Sequence, residues 1–268
     1  MTMIRLSVTA ALVISFWALL PPAAARANHC LAYVQGTPGV VPVKLSTNQA
    51  ADAVRITYVD HSTFRLRTPA SVVIATDYAG YAGSGPVPTV ATMNHAHETH
   101  YTDFPDPEIA RVLRGWNPMG GPAVHDLKVA DVQIRNVPTD IRLWGDMAEA
   151  FGNSIFIFEV AELCIGHLGH LHYKLNPEQL ALIGRLDIVF AAVDGSYTLA
   201  IPSMIEVLQD LRASLVIPMH YFGGESLGAF LAGMRENFAI EIERGATIDV
   251  SRKTLPRRPT VRVLVPHY

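Results

Sequence analysis

Three histidines fall within six residues in the segment Asn94-His95-Ala96-His97-Glu98-Thr99-His100, directly after a short strand-like run at Val90–Met93. Histidines two apart on an extended or turning segment can aim two ring nitrogens at one ion. A third, three residues later, reaches a neighbouring ion as the chain curves. Neutral imidazole is a standard zinc ligand, so this spacing predicts a metal site on the loop after a strand. A second cluster, Cys164-Ile165-Gly166-His167-Leu168-Gly169-His170-Leu171-His172, repeats the theme, with glycines that let backbone approach closely. There His167 and His170 read as ligands and His172 as a residue at the margin. A third segment, Val216-Ile217-Pro218-Met219-His220-Tyr221-Phe222-Gly223, is a strand ending in histidine and a loop.

The rest of the composition narrows what such a chain can be. Of 268 residues, 50% are hydrophobic and 17% charged, which excludes a disordered chain and allows a large buried core. A formal charge of −3 offers no cationic field for phosphates, so nucleic acid is not an expected partner.

Residues 1–27 read as an export signal. Arg5 opens it, an apolar run from Leu6 to Leu20 follows, and Ala25-Arg26-Ala27 fits a small-x-small cleavage site. The run is shorter than the roughly 20 residues a spanning helix needs. The expectation is a periplasmic or secreted protein, cleaved near Ala27 and not inserted in a membrane afterwards. Residues 28–268 would then form one domain. In an oxidising compartment Cys30 and Cys164 either pair or stand as separate thiols. Both readings are open from the sequence.

Along the chain, strands are expected at Val54–Val59, Thr63–Leu66, Val72–Thr76, Val129–Asn136, Ser154–Val160, Glu162–Ile165, Leu186–Val193 and Leu215–Pro218. Helices are expected at Pro107–Leu113, after the start signal Asn176-Pro177-Glu178, at Pro202–Leu211 and at Glu225–Phe238. The histidines recur just past strand ends, where loops on a rigid scaffold carry chemistry.

Taken in order, these segments resemble the metallo-β-lactamase superfamily, and within it the ascorbate-6-phosphate lactonase-like branch of metal-dependent hydrolases. Ile56 to Phe64 resembles the family's opening strand and its His-Ser-Thr-Phe turn. Thr76-Asp77 resembles a strand-closing pair. His95 to His100 resembles His-x-His-x-Asp-His, His167-Leu168-Gly169 resembles His-Leu-Gly-Asp, and Ile217-Pro218-Met219-His220 matches a further motif. The resemblance implies an α+β fold, a four-layer αββα sandwich with metals along one edge. It implies that His95, His97 and His167 hold one ion and His100 and His220 a second. Asp77 would orient ligands, and His61 would lie nearby without being a ligand.

Two positions depart from that pattern, both at the chemistry. Thr99 stands where the family has the aspartate that positions water, and His170 stands where it has a metal-bridging aspartate. An imidazole offers one lone pair to one ion and cannot bridge as a carboxylate does. Loss of both carboxylates strips two negative charges from a two-metal core, which a dry pocket tolerates poorly. The expectation is one tightly held ion, or a pair rescued by Asp194, Glu98 or Asp60. Asp194 leads these three, unless it forms an ordinary Asp194-Gly195 turn. Histidine-rich, carboxylate-poor sites suit Zn²⁺, with Cu²⁺ or Ni²⁺ as alternatives.

The activity implied is hydrolysis of an ester, lactone or phosphodiester in a small-molecule substrate, by water activated at the metal. Thr99 would hydrogen-bond that water, and His170 would accept its proton if not itself a metal ligand. The rival readings are a binding protein that kept fold and metal, and a redox metal protein. Trp144, Tyr197 and Tyr221 are candidates to line a substrate pocket.

Overall fold

The computed structural model describes residues 29–31, 52–143 and 147–266. The export-signal reading of residues 1–27 and the pocket role of Trp144 lie outside the described residues.

Two large sheets face each other. The first has six strands in the order β13-β1-β2-β3-β4-β5: β1 (Val54–Asp60), β2 (Thr63–Arg67), β3 (Val73–Ala75), β4 (Val90–Met93), β5 (Arg111–Arg114) and β13 (Thr247–Val250). The second has eight, in the order β12-β14-β11-β10-β9-β8-β7-β6. They are β6 (Asp126–Val129), β7 (Val132–Arg142), β8 (Ala148–Val160), β9 (Leu163–His167), β10 (Ile188–Ala192), β11 (Leu215–Met219), β12 (Ala239–Ile242) and β14 (Thr260–Val263).

Alternation along the strands decides which side chains meet. Ile188, Phe190 and Ala192 of β10 and Leu215, Ile217 and Met219 of β11 face the first sheet, where Ile56, Tyr58, Phe64 and Leu66 await them. Phe64 stacks on Phe190 at 4.2 Å between ring centroids and on Tyr58 at 4.6 Å. The intervening residues Val189, Ala191 and Val216 point the other way, onto a helical layer. β9, β10 and β11 are thus buried on both faces, as parallel strands under helices must be.

The helices are α1 (Pro177–Ile183), α2 (Ile201–Leu211) and α3 (Gly224–Met234). α1 starts at the expected signal: Asn176 accepts from the backbone N–H of Gln179, and Gln179 returns a side-chain bond to the backbone of Asn176. α2 buries Met204, Val207, Leu208 and Leu211 at helical spacing against the second sheet.

Among the described residues no helix covers the outer face of the first sheet. Ala75, Ala91 and Met93 point outward there and are covered by Tyr78, Ala82, Ile109, Tyr101 and Trp116 from loops. The helix expected at Pro107–Leu113 is instead a loop and the strand β5, which pairs in parallel with β4 from Val90↔Arg111 to Met93↔Arg114. Pro105 and Pro107 restrict the residues before them, and Val112 and Leu113 find partners in the sheet that outweigh a weak helical pattern. The architecture is α+β, two sheets with helices on one side and packed loops on the other.

Cys30 and Cys164 are joined as a disulfide across 134 residues of sequence. Both are fully buried, and the carbonyl of Cys30 accepts the backbone N–H of Arg185 at 3.1 Å. The 29–31 segment is thereby tied to the start of β9 and the turn before β10.

Candidate metal centre

β1 and β3 run in one direction through their shared antiparallel neighbour β2, and β4 continues parallel to β3. Their C-terminal ends therefore lie along one edge, delivering His61, Asp77 and the His95–His100 segment. In the second sheet the parallel strands β9, β10 and β11 end at the other side of the same site, delivering His167–His172, Asp194 and His220. Backbone bonds close the seam: His220 N–H donates to His61 C=O at 2.8 Å. His61, Asp77 and His220 all adopt positive φ, at 48°, 42° and 55°. Such conformations are costly for residues other than glycine, and here three of them set the side chains of one site.

Four imidazoles converge. Ring nitrogens of His61, His97, His100 and His220 all lie within 4.8 Å of one another. Nε2 of His61, His100 and His220 are buried without a hydrogen-bond partner, as is Nδ1 of His220. Buried polar atoms are rarely left so, and three orphaned lone pairs aimed at one point fit a cation. Acids stand behind two of the rings, by a hydrogen bond at His100 and by an ion-pair contact at His220. His100 Nδ1 lies 2.7 Å from Asp77 Oδ2, and His220 Nδ1 lies 3.1 Å from Asp194 Oδ1. A carboxylate behind a histidine fixes the ring and leaves Nε2 as the donor to metal. Asp77 is itself bound by Asn94 Nδ2 at 2.8 Å.

Burial pushes the His61 imidazole down to about 3, helped by the neighbouring His220 and His97. His97 and His100 are lowered by burial too, so these three rings are neutral at physiological pH, as ligands must be. Burial raises Asp77, against the pull of His167 and Asn94. Burial would also raise Asp194, but the close His220 ring and hydrogen bonds from Thr198 and Ser196 outweigh it and hold the carboxyl below its usual range.

His170 stands beside the four, its ring centroid 4.7 to 4.9 Å from those of His100, His97 and His220. Its hydrogen bonds decide what it can do. The backbone N–H of Arg142 donates to His172 Nδ1 at 2.5 Å, so the neutral His172 carries its proton on Nε2. That proton is given to His170 Nδ1, also at 2.5 Å. His170 must then carry its own proton on Nε2, 3.0 Å from His97 Nε2. A backbone amide thus fixes two tautomers in series, and His170 faces the cluster as a donor rather than with a free lone pair. Burial lowers both, His172 to about 4 with Arg142 adding to the effect.

Other expected site residues sit differently. His95 is turned away, its Nδ1 2.7 Å from Glu149 Oε1 and its ring stacked on Trp116 at 4.9 Å. The cause is backbone pairing of His95 N–H to Gly152 C=O, which sets its side chain along β8. His167 has both nitrogens engaged: Nδ1 accepts from Gly169 N–H at 3.1 Å and Nε2 donates to Ser62 C=O at 2.9 Å. Thr99 Oγ1 is 2.8 Å from His97 Nδ1, behind the ring rather than in front of it. Asp194 neither bridges nor faces the cleft. Its Oδ2 accepts from the backbone N–H groups of Ser196, Tyr197 and Thr198, and its Oδ1 from Thr198 Oγ1. It is both the turn residue and the acid behind His220. Glu98 and Asp60 are exposed and outside the cluster.

A cleft of about 870 Å³ opens on His97, His170 and His172. Tyr197 lines it, and Tyr221, half-buried between the two hydrophobic cores, lines a second cleft of about 630 Å³ with His61 and Thr99. His61, expected only near the site, joins the cluster, and His172, at the margin of its own histidine cluster, stands behind His170. Nothing local in the sequence marks Arg142.

A search of curated protein sequences returned no match to this chain. Solved structures that share the fold include three metal-dependent hydrolases. One is a Zn-dependent hydrolase of the metallo-β-lactamase superfamily from Thermotoga maritima, 24% identical, with a TM-score of 0.59 over 80% of this chain and 100% of its own. Another is a metal-dependent hydrolase from Parabacteroides distasonis, 16% identical, TM-score 0.56, covering 80% and 94%. The third is a metallo hydrolase from Ignicoccus hospitalis, 18% identical, TM-score 0.52, covering 81% and 97%. The family model described as "Beta-lactamase superfamily domain" matches residues 55–220. That span holds both sheets' site-bearing strands and all four converging histidines, and by it the chain belongs to the β-lactamase superfamily, with the metallo-β-lactamase fold of metal-dependent hydrolases.

Proposed function

We propose that the protein is an exported hydrolase with a single transition-metal ion, zinc first, held by His61, His97, His100 and His220. The observation that carries this reading is the set of orphaned Nε2 atoms on His61, His100 and His220. An all-nitrogen donor set suits Zn²⁺, with Cu²⁺ and Ni²⁺ next, and disfavours Mg²⁺ and Ca²⁺. One ion rather than two is supported by the outward His95, the engaged His167, and the lack of a bridging carboxylate.

When bound, such an ion lowers the pKa of a water toward about 7 and polarises a carbonyl or phosphoryl oxygen. The chain's own part is orientation. Asp77 and Asp194 hold the His100 and His220 rings, and Thr99 holds His97. With His97 Nε2 given to an ion, its bond from His170 would be displaced, and the His170 Nε2–H would then face the cleft as a hydrogen-bond donor for a substrate oxygen that gains negative charge. The substrate bond is an ester, lactone or phosphodiester. Export is supported by the Cys30–Cys164 disulfide, since such bonds persist in oxidising compartments.

A metal-binding protein without turnover is the second reading. It is favoured by Thr99 lying behind His97, which leaves no carboxylate base in the cluster. The test is metal analysis with a panel of ester, lactone and phosphodiester substrates. One equivalent per chain is expected, lost in His100→Ala and His220→Ala and kept in His95→Ala, with metal-dependent turnover of one substrate class. Two equivalents, or loss of metal in His95→Ala, would refute the one-ion site. Metal without turnover would select the second reading.

A further inference from the structure

We propose that the cleft beside the four histidines takes an apolar substrate with one anionic group, a carboxylate or phosphate, which Arg142 binds. The bond to be hydrolysed comes from the reading above, but the binding step stands apart from it.

Arg142 ends β7, and its side chain is exposed. Nη2 donates to the carbonyls of Ser196 at 3.1 Å and Thr198 at 3.5 Å, on the loop after β10. These bonds fix the guanidinium over the cleft without neutralising it. No carboxylate pairs with it among the described residues, whereas Arg55, Arg135, Arg252 and Arg262 each have one. Its charge is felt inside the site, where it adds to the lowering of His172.

The remaining walls are apolar. Leu143, Tyr197 and Phe222 are 41%, 64% and 65% exposed, high for large hydrophobic side chains, and all three line this one cleft. Tyr197 and Phe222 meet edge to face at 5.8 Å. Phe222 also touches the rings of His220 and His61, at 5.3 and 5.5 Å, so the aromatic wall runs into the cluster. Among the described residues no aspartate or glutamate lines the cleft, and its histidines are held neutral.

The charge pattern selects a ligand class. A cationic substrate finds no partner. A polyanion finds a single fixed cation. A monoanion with an aryl or alkyl body finds a planar donor fork at one end and aromatic faces along its length. Its scissile group then lies toward His97 and His170. Arg142 is a specificity residue, separate from the backbone amide by which the same position holds His172.

The experiment is calorimetric titration of 4-phenylbutyrate, 4-phenylbutyramide and phenyl phosphate into the protein as purified and after chelation. Wild type, Arg142→Gln and Arg142→Lys are compared. At least one of the two anions should bind wild type more tightly than the amide, and the tighter one identifies the anionic group. Arg142→Gln should weaken anions about tenfold and leave the amide unchanged, with Arg142→Lys between. The same differences should persist after chelation, which separates Arg142 from any anion held by metal. Equal binding of acid and amide overturns the proposal, as does an unchanged anion affinity in Arg142→Gln. Equal weakening of the amide overturns it too, by assigning Arg142 to the shape of the wall, and so does no binding of any probe. Failure of the hydrolase reading would show separately, as absent turnover with these binding differences intact.

Discussion

His172 offers a direct measurement of how the fold holds its histidines neutral. It is 6% exposed and its pKa falls from 6.5 to about 4, by burial first and then by the nearby Arg142. The unfolded chain therefore takes up this proton before the folded one does. Stability is lost as pH falls through the unfolded value, and the loss levels off only near the folded one. Between pH 7 and pH 5 the two titration curves separate by somewhat over one pKa unit, worth about 2 kcal/mol. The perturbation is His172→Gln, whose amide can still accept from Arg142 N–H and donate to His170. Urea unfolding of chelated wild type and variant at pH 7, 6 and 5 gives the slopes. The variant should lose about 2 kcal/mol less than wild type over this range. Contributions from His61, His100 and Asp77 are common to both proteins and cancel in the difference. Asp194, with a depressed carboxyl, contributes stability that is lost only as pH falls through its unfolded value near 3.8, below the window. Parallel curves would refute the account, because they would mean that His172 titrates alike in the folded and unfolded chain.

Three further outcomes are expected. Asp194→Asn should weaken metal binding about 10- to 100-fold, as removal of acids behind ligating histidines does, and competitive titration with a chromophoric chelator reads this. Gly169→Ala should destabilise by about 1–3 kcal/mol in denaturant unfolding, since Gly169 has φ 61° and a Cβ there would sit 2.3 Å from Asn153 Oδ1 and 2.5 Å from Asn94 Nδ2. Zinc added to chelated protein at about 100 times its Kd should stabilise by about 2.7 kcal/mol, and His61→Ala should reduce that gain at the same concentration.

Much of the frame is legible along the chain because it follows from local rules. Asn176, Pro177 and Gln179 carry a local helix-start signal, and the continuous apolar runs of β10 and β11 mark strands that bury both faces. The histidine clusters after β4, β9 and β11 announce a site at strand ends. What spacing leaves undetermined is the direction of each ring. His95 and His97 are two residues apart, yet a backbone bond from His95 to β8 sends one ring to Glu149 while the other stays in the cluster. His167 lies on a motif position but spends both nitrogens on the backbone of Gly169 and Ser62. His61 enters because a hairpin turn at positive φ swings it under His220, at 4.0 Å between centroids. Each outcome depends on a partner more than 50 residues away or on a strained backbone torsion, and neither is written in a short window. The strand β5 follows the same logic: Arg111–Arg114 pair with β4 only once β4 is in place.

The disulfide divides the site as well as tying the lead-in segment. The covalent ring closed by Cys30 and Cys164 contains His61, Asp77, His97, His100 and Arg142, while His170, Asp194 and His220 lie on the open chain beyond it. The stretch from Asn117 to Val124, where Met119 is 92% exposed, sits inside the ring. A protease cut there opens the ring without releasing a fragment, so the cleaved protein migrates as one species until it is reduced. Its two halves remain joined, and the imidazoles from both sheets stay within reach of each other. In an environment rich in proteases, that topology separates the lifetime of the site from the integrity of the backbone.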